Sequence, residues 1–575
     1  MIFISLSMIM DWFKLVQGLL LLTIFVLTTL ILLIEVRMSR TDLNQGHFGR
    51  APQVGAPRSS FSRSHSHKTT FNSGDLIPIF VDEVLPGDTI KLKLKIFARL
   101  ATPIRPVMDP LFMDSFFFFT PMRLLWKNWE RMNGARDNPK DSIDFTIPQM
   151  VSPSNGGYAG GSLSDYMGIP TAVPDLSHSS LFHRNYNLVW NEWFRSQDLQ
   201  DSLVVDQDDG PDDHNDYPIQ KRGKRYDYFT SCLPSPQKGS TVDIPLTGDA
   251  PVTGIGGRNN LNRNSWETGV GLWNAGQFVK YPRVSTVSGA TTSAALNYAM
   301  TPTYNNPDSF TPDVKVDLSN VSAITINELR TAFQLQRLLE KDARGGTRYV
   351  EFLKSHFGVI SPDYRLQRPE YLGGSADSVT FHTVAQTEAT NATTPQANVS
   401  AFGVINGNPR GFVKSFTEHG IVMGLVSARA LLSYQQGLSR KFSRKTRVDH
   451  YLPVLAHLGE QKVLNKEIFA EGSKSGSDDD GVFGYQERWA EYRYFPNLIT
   501  GLFRSNASGT LDSWHLSEKF TTLPKLSAAF IQSNPPVKRV IAVPTEPDFL
   551  FDCFIESTYT RVMPLYSVPG MTDRF

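Results

Sequence analysis

From Thr89 to Arg99 hydrophobic residues alternate with cations: Ile90, Leu92, Leu94 and Ile96 fall on one side, Lys91, Lys93 and Lys95 on the other. A period of two predicts a β-strand with one buried face. The segment Asp114–Thr120 (DSFFFFT) is apolar at successive positions and predicts a strand buried on both faces. Thr120 and Pro121 then predict the start of a helix, Thr120 as N-cap and Pro121 as first helical residue, with Gly134 as its stop. Leu125, Trp126, Trp129 and Met132 share one face of that helix, so the tryptophans are read as core. A second helix is expected over Asn185–Ser196. A capping box, Thr325 with Glu328, opens a third, whose apolar positions are Leu329, Phe333, Leu338 and Leu339. Arg344, Gly345, Gly346 and Thr347 break it, and a further helix over Tyr349–Phe357 stops at Gly358. Strands are predicted at Gly420–Ser427, Glu487–Pro496 and Phe549–Met563. No strand–helix–strand repeat occurs, which favours an antiparallel sandwich.

One segment breaks this pattern. Leu15–Ile34 carries no charge, and at about 1.5 Å per residue it is long enough to cross a bilayer as a helix. Asp11 and Lys14 precede it; Glu35, Arg37, Arg40 and Arg50 follow, an arrangement that would leave the bulk of the chain in the cytoplasm. It is not a convincing secretory signal, because the run is long and no small-residue cleavage site follows. Any membrane role rests on this segment alone.

Composition sharpens the β reading. Phe (37), Pro (36) and Gly (42) are abundant, which suits many turns and short strands. Net charge is +1, so the chain as a whole has no polyanion-binding signature, but the charge is distributed unevenly. Between residues 38 and 70, Arg40, Arg50, Arg58, Arg63 and Lys68 face one acid, Asp42, amid few large apolar residues; this reads as a flexible basic arm. The acidic run Asp206–Asp216 lacks the register of an EF-hand loop and reads as a solvated turn. From Ser240 to Thr325 the chain turns to Gly, Ser, Thr and Asn, the strongest insertion signal present. Two cysteines, Cys232 and Cys553, form no CxxC pair.

Catalytic and metal motifs are missing: no GxxxxGK[ST], no HExxH, no GxSxG and no zinc-type Cys/His spacing. His65 and His67 sit in the basic, Ser-rich arm and are read as unliganded, and Asp478–Asp480 as a solvated loop tip. What remains is basic. Arg440, Lys441, Arg444, Lys445 and Arg447 lie within eight residues with Phe442 among them, a pattern that can neutralise phosphates and stack on bases, or serve as a subunit contact. The arm's Arg40, Arg50, Arg58, Arg63 and Lys68 are the better nucleic-acid candidate, because a basic tail has no core role to account for its charges.

From Met38 onward the chain resembles the major capsid proteins of the gokushovirus branch of the Microviridae, small bacteriophages with circular single-stranded DNA. The resemblance is carried by the opening MSRTDLNQGHF, by HKTTFNSGDLIPIFVDEVLPGDTIKL, by MDPLFMDSFFFFTPMRLLWKNWERMNG, by INELRTAFQLQRLLEKDARGGTRYVEFLKSHFGV and by the ending FDCFIESTYTRVMPLYSVPGMTDRF. It implies a mainly β fold: an eight-stranded antiparallel jelly roll with large loop insertions and a few helices. It also implies pentamers assembled into a T=1 icosahedral shell in the virion, built in the bacterial cytoplasm and without enzymatic activity. Implied partners are copies of the chain, the packaged circular single-stranded DNA, a small basic DNA-binding phage protein and a host surface receptor. No cofactor is expected; structural calcium would suit such a shell, but no ligand set can be named.

The resulting division is an apolar extension over 1–37, a basic arm over 38–70, core over 71–239, a surface protrusion over 240–325 and core again over 326–575. Within the protrusion Gly254, Asn259, Asn260 and Asn264 are the host-attachment candidates. Because the resemblance starts at Met38, residues 1–37 are read as an in-frame extension upstream of the true start rather than as an anchor. The competing class is a membrane-anchored β-sandwich that binds carbohydrate or forms a surface layer.

Overall fold

The computed structural model describes residues 57–240 and 326–566, apart from short breaks, and several short strands between 252 and 316. Residues 1–56, with the apolar run, Arg40 and Arg50, lie outside the described residues. So do Gly254, Asn259, Asn260 and Asn264.

Eleven strands build two facing sheets: β1 (Arg58–Ser62), β2 (His65–Phe71), β3 (Ile77–Val84), β4 (Thr89–Leu100), β5 (Leu111–Pro121), β6 (Glu370–Ser378), β7 (Thr380–Ala385), β8 (Val399–Asn406), β9 (Arg410–Ser415), β10 (Gly420–Ala430) and β11 (Phe549–Val562). In the first sheet β11 lies between β4 and an edge formed by β1 and β2; β8 and β9 follow one another along the far side of β4, and β7 closes that edge. The second sheet has the order β6, β5, β10, β3. All of these pairings are antiparallel. Counting β1 with β2 and β8 with β9 as single columns and setting aside β7, the first, last, third and sixth columns form one sheet. The second, seventh, fourth and fifth form the other. That is the interlocked Greek-key order of a jelly roll, with β7 as an added edge strand.

The alternation read in Thr89–Arg99 is realised in β4, where every second residue from Ile90 to Leu100 is buried. Strand β11 repeats it through Phe549, Phe551, Cys553, Ile555 and Tyr559. These side chains meet Met113, Phe117, Phe119, Val422 and Val426 of β5 and β10 in one core, each large side chain contributing about 1.5–3 kcal/mol by burial. Strands β5 and β10 are buried on both faces because α1 (Leu181–Trp193) covers their outer side: Tyr186, Val189 and Trp190 pack on Phe118, Met423 and Leu425. A smaller core joins Tyr228, Phe229 and Cys232 to Phe469, Phe483 and Phe530, in the insertion between β10 and β11.

Four expectations need correction. The segment read as a flexible arm is structured from Arg58, because β1 and β2 pair with β11; backbone hydrogen bonding to an open edge does not require apolar side chains. Thr120 does not cap a helix but stays in β5, opposite Ile421, and the expected single helix is two turns, Met122–Leu125 and Trp129–Met132. Between them Trp126 is extended and buried, its indole donating to Asp209 Oδ1 at 2.7 Å. The strand expected over Glu487–Pro496 ends at Glu487 in a hairpin of Glu460–Leu464 with Val482–Glu487. Trp489, with φ +69°, turns the chain out of the sheet. Last, the acidic run is not wholly solvated: Asp212 is buried and clamps Arg184, itself fully buried, through Nε at 2.7 Å and Nη2 at 2.5 Å. The helix at 185–196 is present as α1, four residues earlier at its start.

Helices α2 (Ile326–Arg344) and α3 (Tyr349–Phe357) appear where expected, α3 ending at a left-handed Gly358. Thr325 lies outside the described residues. Among the described residues no helix is long and apolar enough to cross a membrane.

Candidate nucleic-acid interface

The two sheets differ in what covers them. Helix α1 and its loops seal the outer face of the second sheet, whereas the outer face of the first is open. On β4 the outward positions are Lys91, Lys93, Lys95, Phe97 and Arg99, all exposed. Register with β11 sets Lys93 opposite Glu556, Lys95 opposite Phe554 and Phe97 opposite Asp552. Strands β1 and β2 add Arg58 and Lys68 to the same face. Across β1, β2, β4 and β11 six outward cations thus stand against two outward carboxylates, Asp552 and Glu556.

The two acids are each claimed by one cation: Lys68 Nζ lies 3.7 Å from Asp552 and Lys95 Nζ 3.2 Å from Glu556. The hydrogen bond and charge of Lys95, with Lys93 and Lys91 behind it, hold the Glu556 carboxyl below its usual range. Lys91, Lys93 and Arg99 form no ion pair with a described residue. Apolar surface lies between the charges: Phe97 is 54% exposed and Phe554 42%, and the Lys95 ammonium sits 5.7 Å over the Phe554 ring. Farther along the face His382 stacks on Phe402 with centroids 5.1 Å apart. Outward residues recur about every 6.8 Å along a strand, so the face presents rows of cations beside aromatic rings. Such a surface neutralises phosphates and offers stacking partners without reading sequence.

The residues nominated from sequence have different surroundings. Arg58 donates to the Gly87 carbonyl and to Thr89 Oγ1. Arg63 is paired with Asp82 and lies 4.8 Å from the Tyr559 ring centroid, so its charge is largely spent inside the fold. In the loop over 439–447, Arg440 reaches Glu467 at 3.0 Å, and Arg444 reaches Glu491 at 3.4 Å. Burial works against the charge on Arg440, but Glu467, Tyr228 and Glu491 together raise its pKa above the ordinary value. Lys441, Lys445 and Arg447 remain exposed. Lys441 lies over Phe442 and Phe495, at 5.0 and 5.3 Å. The lysines of β4 were visible as the polar half of the best strand in the chain, but an alternating pattern does not say whether its polar face is left bare.

Among the described residues no group of three or more His, Cys, Asp or Glu side chains is placed to hold a metal ion. Cys553 lies in the sandwich core and Cys232 in the smaller core, both free thiols.

A jelly-roll sandwich with one bare, cationic sheet face and large loop insertions belongs to an architecture shared by viral capsid, lectin and cupin domains. The chain matches the capsid protein (F protein) family over residues 50–571. It is 46% identical to capsid protein VP1 of Bdellovibrio phage phiMH2K, over 92% of this chain and 99% of that protein. Identity is 45% to capsid protein VP1 of Chlamydia phage 1, over 92% and 98%, and 36% to that of Spiroplasma virus 4, over 93% and 99%. The chain therefore belongs to the capsid protein family of gokushovirus-type Microviridae and is a protein of the virion. The carbohydrate-binding alternative gains nothing from these matches.

Proposed function

We propose that copies of this chain, grouped as pentamers, close into a T=1 shell around a circular single-stranded DNA, with the bare face of the first sheet turned toward the genome. The observation that carries the reading is the contrast between the two sheets. One outer face is sealed by α1, and the other exposes Lys91, Lys93, Lys95 and Arg99 beside Phe97 and Phe554. The role is structural and not catalytic. Arg40 and Arg50, upstream of β1, add cations on the same side of the sequence, and a small basic phage protein shares the neutralisation.

The segment 240–325, with Gly254, Asn259, Asn260 and Asn264, serves host attachment. Negative-stain microscopy of the purified chain tests the shell: closed particles of uniform size are expected, and monodisperse monomers would refute it. Deleting residues 254–298 tests attachment. Particles should still form and fail to adsorb to host cells; normal adsorption would remove the segment from this role.

A further inference from the structure

A second surface is built from the insertion between β10 and β11. Phe442, Tyr492 and Phe495 are 70%, 51% and 74% exposed, and Val454, Leu498 and Leu502 are 95%, 66% and 56% exposed. Contacts tie Phe442, Tyr492, Phe495 and the loop of Val454 together, and Leu498 and Leu502 follow Phe495 by three and seven residues. Lys441 bridges Phe442 and Phe495, Arg444 lies 4.4 Å over Tyr492, and Tyr451 packs on Tyr492 with centroids 6.2 Å apart. The Trp489 indole holds the loop that carries Val454 by donating to Leu455 O at 2.9 Å. At its edge a cavity of about 280 Å³ opens between Phe495, Asn497, Tyr226 and Leu431.

We propose that this patch is a docking surface for a second copy of the chain, with the cavity receiving one of its apolar side chains. The inference rests on the shell reading and names where subunits meet. Area is compatible with it: weighting about 150–250 Å² per large side chain, with Val and Leu at the low end, by these exposures leaves roughly 750 Å² of apolar side chain, near the about 800 Å² that each partner buries in a standard interface. Exposed apolar patches of that size mark interaction sites. Composition separates a protein partner from DNA. Val454, Leu498 and Leu502 have no face on which a base can stack, and Arg440 and Arg444 are already committed to Glu467 and Glu491. Those same ion pairs, with Asp449 accepting from the backbone N–H groups of Lys445 and Thr446 at 2.9 and 2.7 Å, fix the loop before any partner arrives. A preformed surface loses less entropy on docking.

The test uses the full chain carrying Val454→Asp or Phe495→Asp, both at positions exposed enough to leave folding intact. Expected are an unchanged melting temperature and a yield of closed particles lower by at least about tenfold, the effect of losing one interface anchor. Wild-type particle yield in both variants overturns the surface. So does normal assembly accompanied by weaker oligonucleotide binding, which would make it a nucleic-acid site. Absence of particles from the wild-type chain would instead overturn the shell reading. A second measurement does not depend on the variants. Oxidative footprinting should show Phe495 and Tyr451 protected in wild-type particles relative to free subunits; equal labelling refutes the proposal.

Discussion

Replacing Lys91, Lys93 and Arg99 together by Gln removes the three cations of β4 that form no ion pair with a described residue and leaves the apolar face of the strand untouched. All three side chains are exposed, so stability should change by no more than about 0.5 kcal/mol. The effect on DNA follows from counterion release. Each neutralised phosphate of a single strand contributes about −0.7 to the slope of log K against log salt, so three lost contacts flatten the slope by about 2. Between 50 and 200 mM salt, the wild-type subunit should then lose about 18-fold more affinity than the variant. Fluorescence anisotropy of a labelled thymidine oligonucleotide, titrated with unassembled subunit at several salt concentrations, measures this directly. A slope equal to that of wild type would show that β4 does not touch the backbone and would refute the assignment of this face.

Three further predictions concern the fold that holds the face in place. Asp212→Ala strips Arg184 of its buried carboxylate partner and leaves a fully buried guanidinium with Asp208 and carbonyl oxygens, so denaturant unfolding should show a loss of about 3–5 kcal/mol; a loss under about 1 kcal/mol contradicts the clamp. Burial, with the nearby charge of His178, lowers the pKa of His183 to about 3 against the pull of Asp212. The unfolded imidazole, near 6.5, binds a proton first as pH falls, so stability should decline from about pH 6.5 toward 3, by up to about 5 kcal/mol. In His183→Gln the pH dependence of unfolding should flatten across that window, and an unchanged slope rejects the assignment. Phe117→Ala removes a ring that packs on Phe412 and leaves no room for a side chain at Gly424; a cost of about 3–5 kcal/mol is expected in chemical denaturation, and a cost below about 1 kcal/mol would mean the two sheets close over the gap.

The strands that carry the sandwich were legible because their side chains repeat with the sheet. Thr89–Arg99, Asp114–Thr120 and Gly420–Ser427 sit within observed strands, Phe549–Met563 overruns its strand by one residue, and the four-phenylalanine run is buried on both faces as its pattern required. What failed depended on partners distant in the chain. The polar residues of β1 and β2 look like an arm until β11, some 490 residues later, offers them an edge. Asp212 looks solvated until Arg184, on α1, needs a carboxylate. The basic loop at 440–447 was visible as a charge cluster, but only the fold shows that Glu467 and Glu491 take two of its five cations. The reverse holds for β4: its lysines were read as the solvent side of a strand, and their surroundings on β2 and β11 turn them into a face. Family membership over residues 50–571 was visible in long sequence blocks, whereas the exposed apolar patch around Phe495 emerges only once residues from 442 to 502 are brought together.

Ultraviolet cross-linking of the genome inside intact particles, followed by mass spectrometry of the attached peptides, tests the orientation of the shell most directly. Aromatic rings stacked on bases cross-link at short range, so the account predicts nucleotide adducts on Phe97 and Phe554, in the peptides of β4 and β11. Adducts confined to α1, or to the loop around Phe442, with β4 and β11 unmodified, would mean that the bare cationic sheet does not face the DNA.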